Sequence, residues 1–184
     1  MSSTLWPLAS RSDLVVRDPD GLTRLWTPYR MAYVRSDTTA DGCPFCWIPQ
    51  GDDETNLIVA RGESAYVVLN LHPYNPGHLM VLPYRHVAEL EDLTPEESGE
   101  LMALTQRAIR VIRDVSSPHA FNIGINLGGP AGGSLADHLH QHVVPRWSGD
   151  ANFITVIGQA KILPQLLADT RALLAEAWVS TPTK

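Results

Sequence analysis

The sequence predicts an α+β fold: an antiparallel β-sheet with a long helix between two pairs of strands, and a further helix near the C-terminal end. Three observations carry this. β-Branched and aromatic runs of strand length recur, one long amphipathic segment divides them two and two, and turn residues stand at their ends. With 184 residues, 44% hydrophobic and 18% charged, the chain suits one domain with a substantial core.

Residues 1–20 mix Ser, Asp, Arg and Pro without periodicity and read as a mobile arm, which leaves 21–184 as the single domain. Leu25-Trp26-Thr27-Pro28-Tyr29-Arg30-Met31 is apolar and aromatic enough to pack onto something, and Gly51-Asp52-Asp53-Glu54 is a solvated acidic loop. Ala65-Tyr66-Val67-Val68-Leu69-Asn70 is a strand, Tyr74-Asn75-Pro76-Gly77 a turn, and 78–82 the next strand. Thr94-Pro95-Glu96-Glu97 then supplies a capping Thr, a Pro at the first helical position and a Glu three residues after the cap. The helix it opens runs to about 114, with Leu101, Leu104, Thr105, Ala108, Val111 and Ile112 on one apolar face. Residues 121–127 form a third strand, ending in the loop Gly128-Gly129-Pro130-Ala131-Gly132-Gly133-Ser134, and 138–145 a fourth. A last helix is expected over about 163–177, with Leu166, Leu167, Thr170, Leu173 and Leu174 as its buried stripe.

A net charge of −6 offers no long-range attraction to nucleic acid or to an anionic membrane, so a phosphate ligand must be held by local groups. No apolar run approaches the length of a membrane span, and no basic-then-apolar leader opens the chain. A cytoplasmic protein acting on a small anion is expected, with neither nucleic acid nor membrane as partner.

The densest chemical signal is His138-Leu139-His140-Gln141-His142. Side chains alternate along a strand, so the three imidazoles share one face while Leu139 and Gln141 point away. Neighbours in the row are ~7 Å apart and the outer two ~13 Å, so one metal ion cannot take all three, although a pair could share one. Packing three titratable rings together costs desolvation that a purely structural row would not repay. The glycine-rich loop just upstream lets backbone N–H groups approach a phosphate. A neutral imidazole is a competent nucleophile at phosphorus when its other nitrogen gives its proton to a fixed acceptor, and His140, flanked on both sides, is the best placed.

The only two cysteines form Cys43-Pro44-Phe45-Cys46. This spacing fits a redox disulfide, half of a zinc site or coincidence; the strand and helix context of a thioredoxin-like unit is missing, which disfavours the first.

The run H-L-H-Q-H-V-V, the upstream glycine loop and N-P-G-H-L-M-V-L-P at 75–83 together resemble the histidine triad (HIT) superfamily, over about residues 43–147. The resemblance implies that His140 attacks the α-phosphorus of a nucleotide, forming a covalent nucleotidyl-histidine that a second acceptor resolves. It implies that Asn70 holds the ribose, that Asn126, Gly133 and Ser134 line the phosphate site, and that His142 contacts phosphate or sugar. Many members carry Gln where this chain has Ser134. It further implies a structural Zn2+ bound by Cys43, Cys46, His86 and His138, with no organic cofactor.

The runs R-L-W-T-P-Y-R-M, A-G-G-S-L-A and V-V-P-R-W-S-G-D-A-N-F-I are similar to an actinobacterial branch of that family. Its members cleave dinucleoside polyphosphates such as diadenosine tetraphosphate and pass the nucleotidyl group to inorganic phosphate, giving ATP and ADP. Trp147 then shapes the nucleotide or phosphate pocket, or packs in the core. Two rivals are a HIT hydrolase, in which water resolves the same intermediate, and a non-catalytic zinc-stabilised nucleotide-binding module. Apolar surface on the long helix and the N-terminal segment points to a homodimer or homotetramer.

Overall fold

The β-branched runs pair as a sheet. A computed structural model describes residues 15–17, 23–25, 42–132, 135–150, 157 and 163–182. The chain divides into two units, Met1–Thr39 and Ala40–Lys184. In the first, β1 (Val15–Arg17) pairs antiparallel with β2 (Thr23–Leu25), so the division expected at residue 20 falls between two paired strands. Of the aromatic segment 25–31, only Leu25 lies within the described residues.

The second unit holds β3 (Ile58–Arg61), β4 (Ala65–Leu69), β5 (Leu79–Pro83), β6 (Ala120–Ile125) and β7 (Gln141–Arg146), in the antiparallel order β3-β4-β5-β7-β6. Four of these strands answer to the four expected, shifted by one to three residues; β3 is an addition. The unit also holds helices α1 (Pro44–Trp47), α2 (Pro95–Ser116) and α3 (Leu167–Ser180).

The start of α2 is written in its first residues. Thr94 Oγ1 accepts from the Glu97 amide at 3.2 Å, the Glu97 carboxylate accepts from the Thr94 amide at 2.9 Å, and Pro95 needs no donor. Its buried positions are Leu101, Thr105, Ala108, Val111 and Ile112, with Leu104 partly buried, so the expected stripe is the observed one. The C-terminal helix differs from expectation. It begins at Leu167, because a residue before proline is pushed out of helical backbone and Leu163 precedes Pro164. The stripe shifts with it: Leu166 and Leu173 are exposed, and Thr170, Leu174 and Trp178 are buried at four-residue steps.

Both α2 and α3 pack on one face of the sheet, where Val67, Leu69, Leu79, Val81 and Val143 meet Leu101, Ala108, Val111, Ile112, Leu174 and Trp178. Burial of each large aliphatic here stabilises the fold by ~1.5–3 kcal/mol. The opposite face carries a smaller core of Phe45, Ile58, Tyr66, Val68, Met80 and Leu82. It is closed by the segment from Cys43 to Ile48, which Tyr66 pins by donating its hydroxyl to Phe45 O at 2.7 Å. His142 lies opposite Met80 in the β5–β7 ladder and so faces this second side, away from the helices.

Candidate active site and metal centre

The ladder of β7 begins only at Gln141. His138 and His140, expected inside the strand, instead lie in its lead-in, because β5 ends at Pro83 and the Leu139 amide donates to Val87 O at 2.7 Å in the segment beyond it. The common face survives. Phe45 contacts the rings of both His138 and His140, at centroid distances of 5.6 and 5.1 Å, and the His140 and His142 rings stand edge to face at 4.9 Å.

Each imidazole has its tautomer set by what it touches. A carbonyl only accepts, so His140 Nδ1, 2.9 Å from His138 O, carries the proton. Nε2 is thereby left with its lone pair. Burial holds His140 below the ordinary histidine range, keeping the ring neutral near pH 7. His142 is reached through a relay. The Tyr74 amide donates to His78 Nδ1 at 3.1 Å, so His78 carries its proton on Nε2 and donates it to His142 Nδ1 at 3.0 Å. That leaves the His142 proton on Nε2, as a donor. Burial first, then the neighbouring histidines, holds His78 down to about 3; burial and then His140 holds His142 down to about 4.

At the other end of the row the chemistry changes. Cys43, Cys46, His86 and His138 present ligand atoms all within 4.8 Å of one another. His138 Nε2 donates to Pro83 O at 3.0 Å, which turns an unprotonated Nδ1 towards the Cys43 and Cys46 sulfurs at 3.4 and 3.5 Å. His86 Nδ1 lies 3.4 Å from Cys46 Sγ. A tetrahedral zinc with two sulfur and two nitrogen ligands separates unlike donors by about 3.6 Å, so the cluster fits such an ion. Burial first, then the adjacent Cys43, pushes the Cys46 thiol up. His138 thus serves both ends: its ring faces the metal cluster and its carbonyl fixes the His140 tautomer.

Beyond His142 opens a cavity of about 360 Å³, lined by Tyr74, Asn75, Asn122, Asn126, Arg146 and Asp150 among others. Of the expected substrate residues, the cavity brings together Asn126 and His142. Asn70 ends β4, its Oδ1 accepting from the His72 amide at 2.9 Å, and Trp147 donates its indole N–H to Ser116 O, at the end of α2, at 3.3 Å. Neither is in the lining. Gly133 and Ser134 lie outside the described residues.

The sequence reading gave no role to His78, Asn75, Asn122, Arg146 or Asp150. His78 was visible as the histidine of N-P-G-H, and Arg146 and Asp150 as an R-x-x-x-D pair. What joins them to the site is a contact between strands far apart in the chain.

The chain is similar to known proteins in sequence and in fold. Over 178 residues the chain is 62% identical to a Mycobacterium tuberculosis protein named AP-4-A phosphorylase, covering 92% of this chain and 91% of that one. It is 43% identical over 90 residues to the bis(5'-nucleosyl)-tetraphosphatase [asymmetrical] of Schizosaccharomyces pombe, covering 49% of each. Among solved structures, a Zn-bound histidine triad family protein from Mycobacterium smegmatis superposes with a TM-score of 0.62 at 27% identity, covering 76% of this chain and 95% of that one. With the HIT domain model matching residues 52–149, the chain belongs to the HIT domain family.

Proposed function

We propose that this protein is a dinucleoside polyphosphate phosphorylase working through a nucleotidyl-His140 intermediate. The observation that carries the reading is the His140 ring itself: neutral, with Nδ1–H tied to His138 O at 2.9 Å and Nε2 bare. In the first step Nε2 forms a bond to the α-phosphorus of diadenosine tetraphosphate, and the α-to-bridging oxygen bond breaks, releasing ATP. Positive charge developing on the ring is stabilised through Nδ1–H at the His138 carbonyl. His142, donating from Nε2, neutralises charge on a non-bridging oxygen. In the second step an oxygen of inorganic phosphate attacks the same phosphorus, the P–N bond breaks, ADP leaves and His140 returns to neutrality.

The relative named AP-4-A phosphorylase, similar along nearly the whole chain, supports phosphate as the acceptor. In this reading Asn70 holds the ribose, Asn126, Gly133 and Ser134 line the phosphate site, and Trp147 shapes the pocket from the end of the strand. Zinc at Cys43, Cys46, His86 and His138 is structural: bound, it cross-links the 43–46 turn to the histidine row. The likeness to the Zn-bound relative supports that metal. A cytoplasmic homodimer or homotetramer completes the proposal; no helix among the described residues is long and apolar enough to cross a membrane.

A second reading, hydrolysis by water of the same intermediate, is favoured by the likeness to the tetraphosphatase over half of each chain. Product analysis decides between them. Diadenosine tetraphosphate incubated with inorganic phosphate is expected to give ATP and ADP, with label from phosphate in the ADP. AMP formed at a rate indifferent to phosphate would give the reaction to water.

A further inference from the structure

We propose that Arg146, held in place by Asp150 and Asn122, binds the far phosphates of the substrate's bridge, so that this end of the cavity reads bridge length. The inference rests on His140 as the nucleophile and extends the site along β7, past His142, to the far end of the cavity.

His142, Val144 and Arg146 alternate onto one face of β7, and all three line the same cavity. Among the described residues that line the cavity, Arg146 is the one Arg or Lys. Its guanidinium is oriented before any ligand arrives. Nε and one terminal nitrogen donate to the two Asp150 oxygens at 2.6 and 2.9 Å, and the other terminal nitrogen donates to Asn122 Oδ1 at 2.7 Å. Asp150 is itself set from behind: Asn75, nearly fully buried, donates its Nδ2 to Asp150 at 2.6 Å and to Pro145 O at 2.9 Å, and the Trp147 amide donates to the carboxylate at 3.2 Å.

An arginine has five N–H groups, and these three bonds use three of them. The remaining two lie one on each terminal nitrogen, available to donate to phosphate oxygens. The paired carboxylate cancels the net charge without removing these donors. Directed recognition results, rather than a general attraction for anions.

Position decides which phosphate this is. At ~3.3 Å per residue, the Arg146 backbone lies about 20 Å along the strand from His140 and about 13 Å from His142. An extended arginine closes only part of that gap. A phosphorus bonded to His140 Nε2 is therefore out of its range, whereas phosphates several bonds further along an extended bridge come within it. A nucleotide with a small leaving group has nothing to place there.

The test compares two substrates of one nucleophile in the full chain: diadenosine tetraphosphate, and adenosine 5′-phosphoramidate, whose leaving group is ammonia. In Arg146→Gln, and in Arg146→Gln with Asp150→Asn, which removes the carboxylate charge together with the guanidinium, the ratio of kcat/KM on the first to that on the second is expected to fall about tenfold or more. Binding of inorganic tripolyphosphate, followed by calorimetry, is expected to weaken by a similar factor. A ratio that stays constant while both activities drop would overturn the inference and assign Arg146 and Asp150 to holding the 147–150 turn. Tripolyphosphate binding retained while adenosine binding is lost would overturn it too, giving this wall to the second base. Should the unsubstituted protein form no nucleotidyl-His140 with either substrate, the proposed function falls on its own; the tripolyphosphate titration then decides whether Arg146 is an anion site.

Discussion

Strands β4 and β5 are buried on both faces, but the two sides of the sheet are held by different forces. On the face under α2 and α3, aliphatic side chains meet aliphatic side chains, and little depends on direction. On the other face, a small apolar core is bordered by imidazoles, two thiols and an arginine–aspartate pair, each placed by a hydrogen bond or a prospective metal ligand. Hydrocarbon packing tolerates small shifts. A nucleophile whose tautomer and aim must be fixed does not, so directional bonds hold the functional face while the helix face supplies stability.

The sharpest way to separate the faces is to remove the proposed nucleophile. His140→Ala is expected to lower nucleotidyl transfer from diadenosine tetraphosphate by ~10⁴-fold or more, comparable to losing any covalent catalyst. The thermal midpoint should stay within a few degrees. Retained turnover in a steady-state assay would show that the chemistry lies elsewhere.

Disrupting the metal cluster acts on the same face through stability. Cys46→Ser is expected to abolish stoichiometric zinc by elemental analysis and to cost on the order of 3 kcal/mol or more, about 10 °C in Tm. Turnover by the fraction still folded should fall far less than in His140→Ala, because the acceptor that fixes the His140 tautomer is a backbone carbonyl. Ile112→Ala, a deletion in the helix-side core at a fully buried residue, should cost ~2–4 kcal/mol and leave kcat unchanged in the folded protein. A large fall in kcat from that substitution would mean that the faces are not separable.

Acid should weaken the histidine face in a defined window. Folded His78 and His142 sit at about 3 and about 4, against an ordinary value of 6.5 in the unfolded chain. Between pH 6.5 and 5 only the unfolded chain takes up these protons. Stability is complete above pH 6.5 and falls as pH drops, by up to ~1.4 kcal/mol per pH unit for each histidine. Urea midpoints across that range measure the slope; a flat profile would mean that these rings are charged in the folded state.

How much could be read from the chain follows the same division. The helix face is local in origin: a capping box at Thr94–Glu97 and a period near 3.6 announce α2 and its buried stripe before any tertiary contact is known. The row of histidines was legible because alternation is also local. What eluded the sequence depends on distant partners. β3 is a four-residue run whose burial comes from β4 and α3, and the relay from Tyr74 through His78 to His142 joins residues 64 positions apart. The late start of α3 was legible after all, in Pro164, but the leucine pattern around it was read across the proline.

The smallest expected effect lies where the two faces touch. Gln141 sits between His140 and His142 in sequence but points to the helix side, where its Nε2 donates to Thr105 Oγ1 at 2.9 Å; that hydroxyl donates in turn to Leu101 O at 2.8 Å. This is a polar tie through a largely aliphatic layer, joining the histidine segment to α2. Gln141→Leu keeps the volume and removes the tie, leaving one hydroxyl lone pair unpaired, for a cost of about 1 kcal/mol. If the tie only adds stability, denaturant titration will register that loss and the kinetic constants will not move. If it also steadies the two histidines on either side, kcat should fall several-fold with KM for the nucleotide unchanged, because ground-state contacts to substrate are left intact while the aim of His140 is loosened. The second outcome is expected, since Gln141 lies between the two histidines of the proposed site and, among the described residues, this is the side-chain hydrogen bond that ties it to the helix side. A change in KM alone would place Gln141 in substrate binding and remove it from the link between the faces.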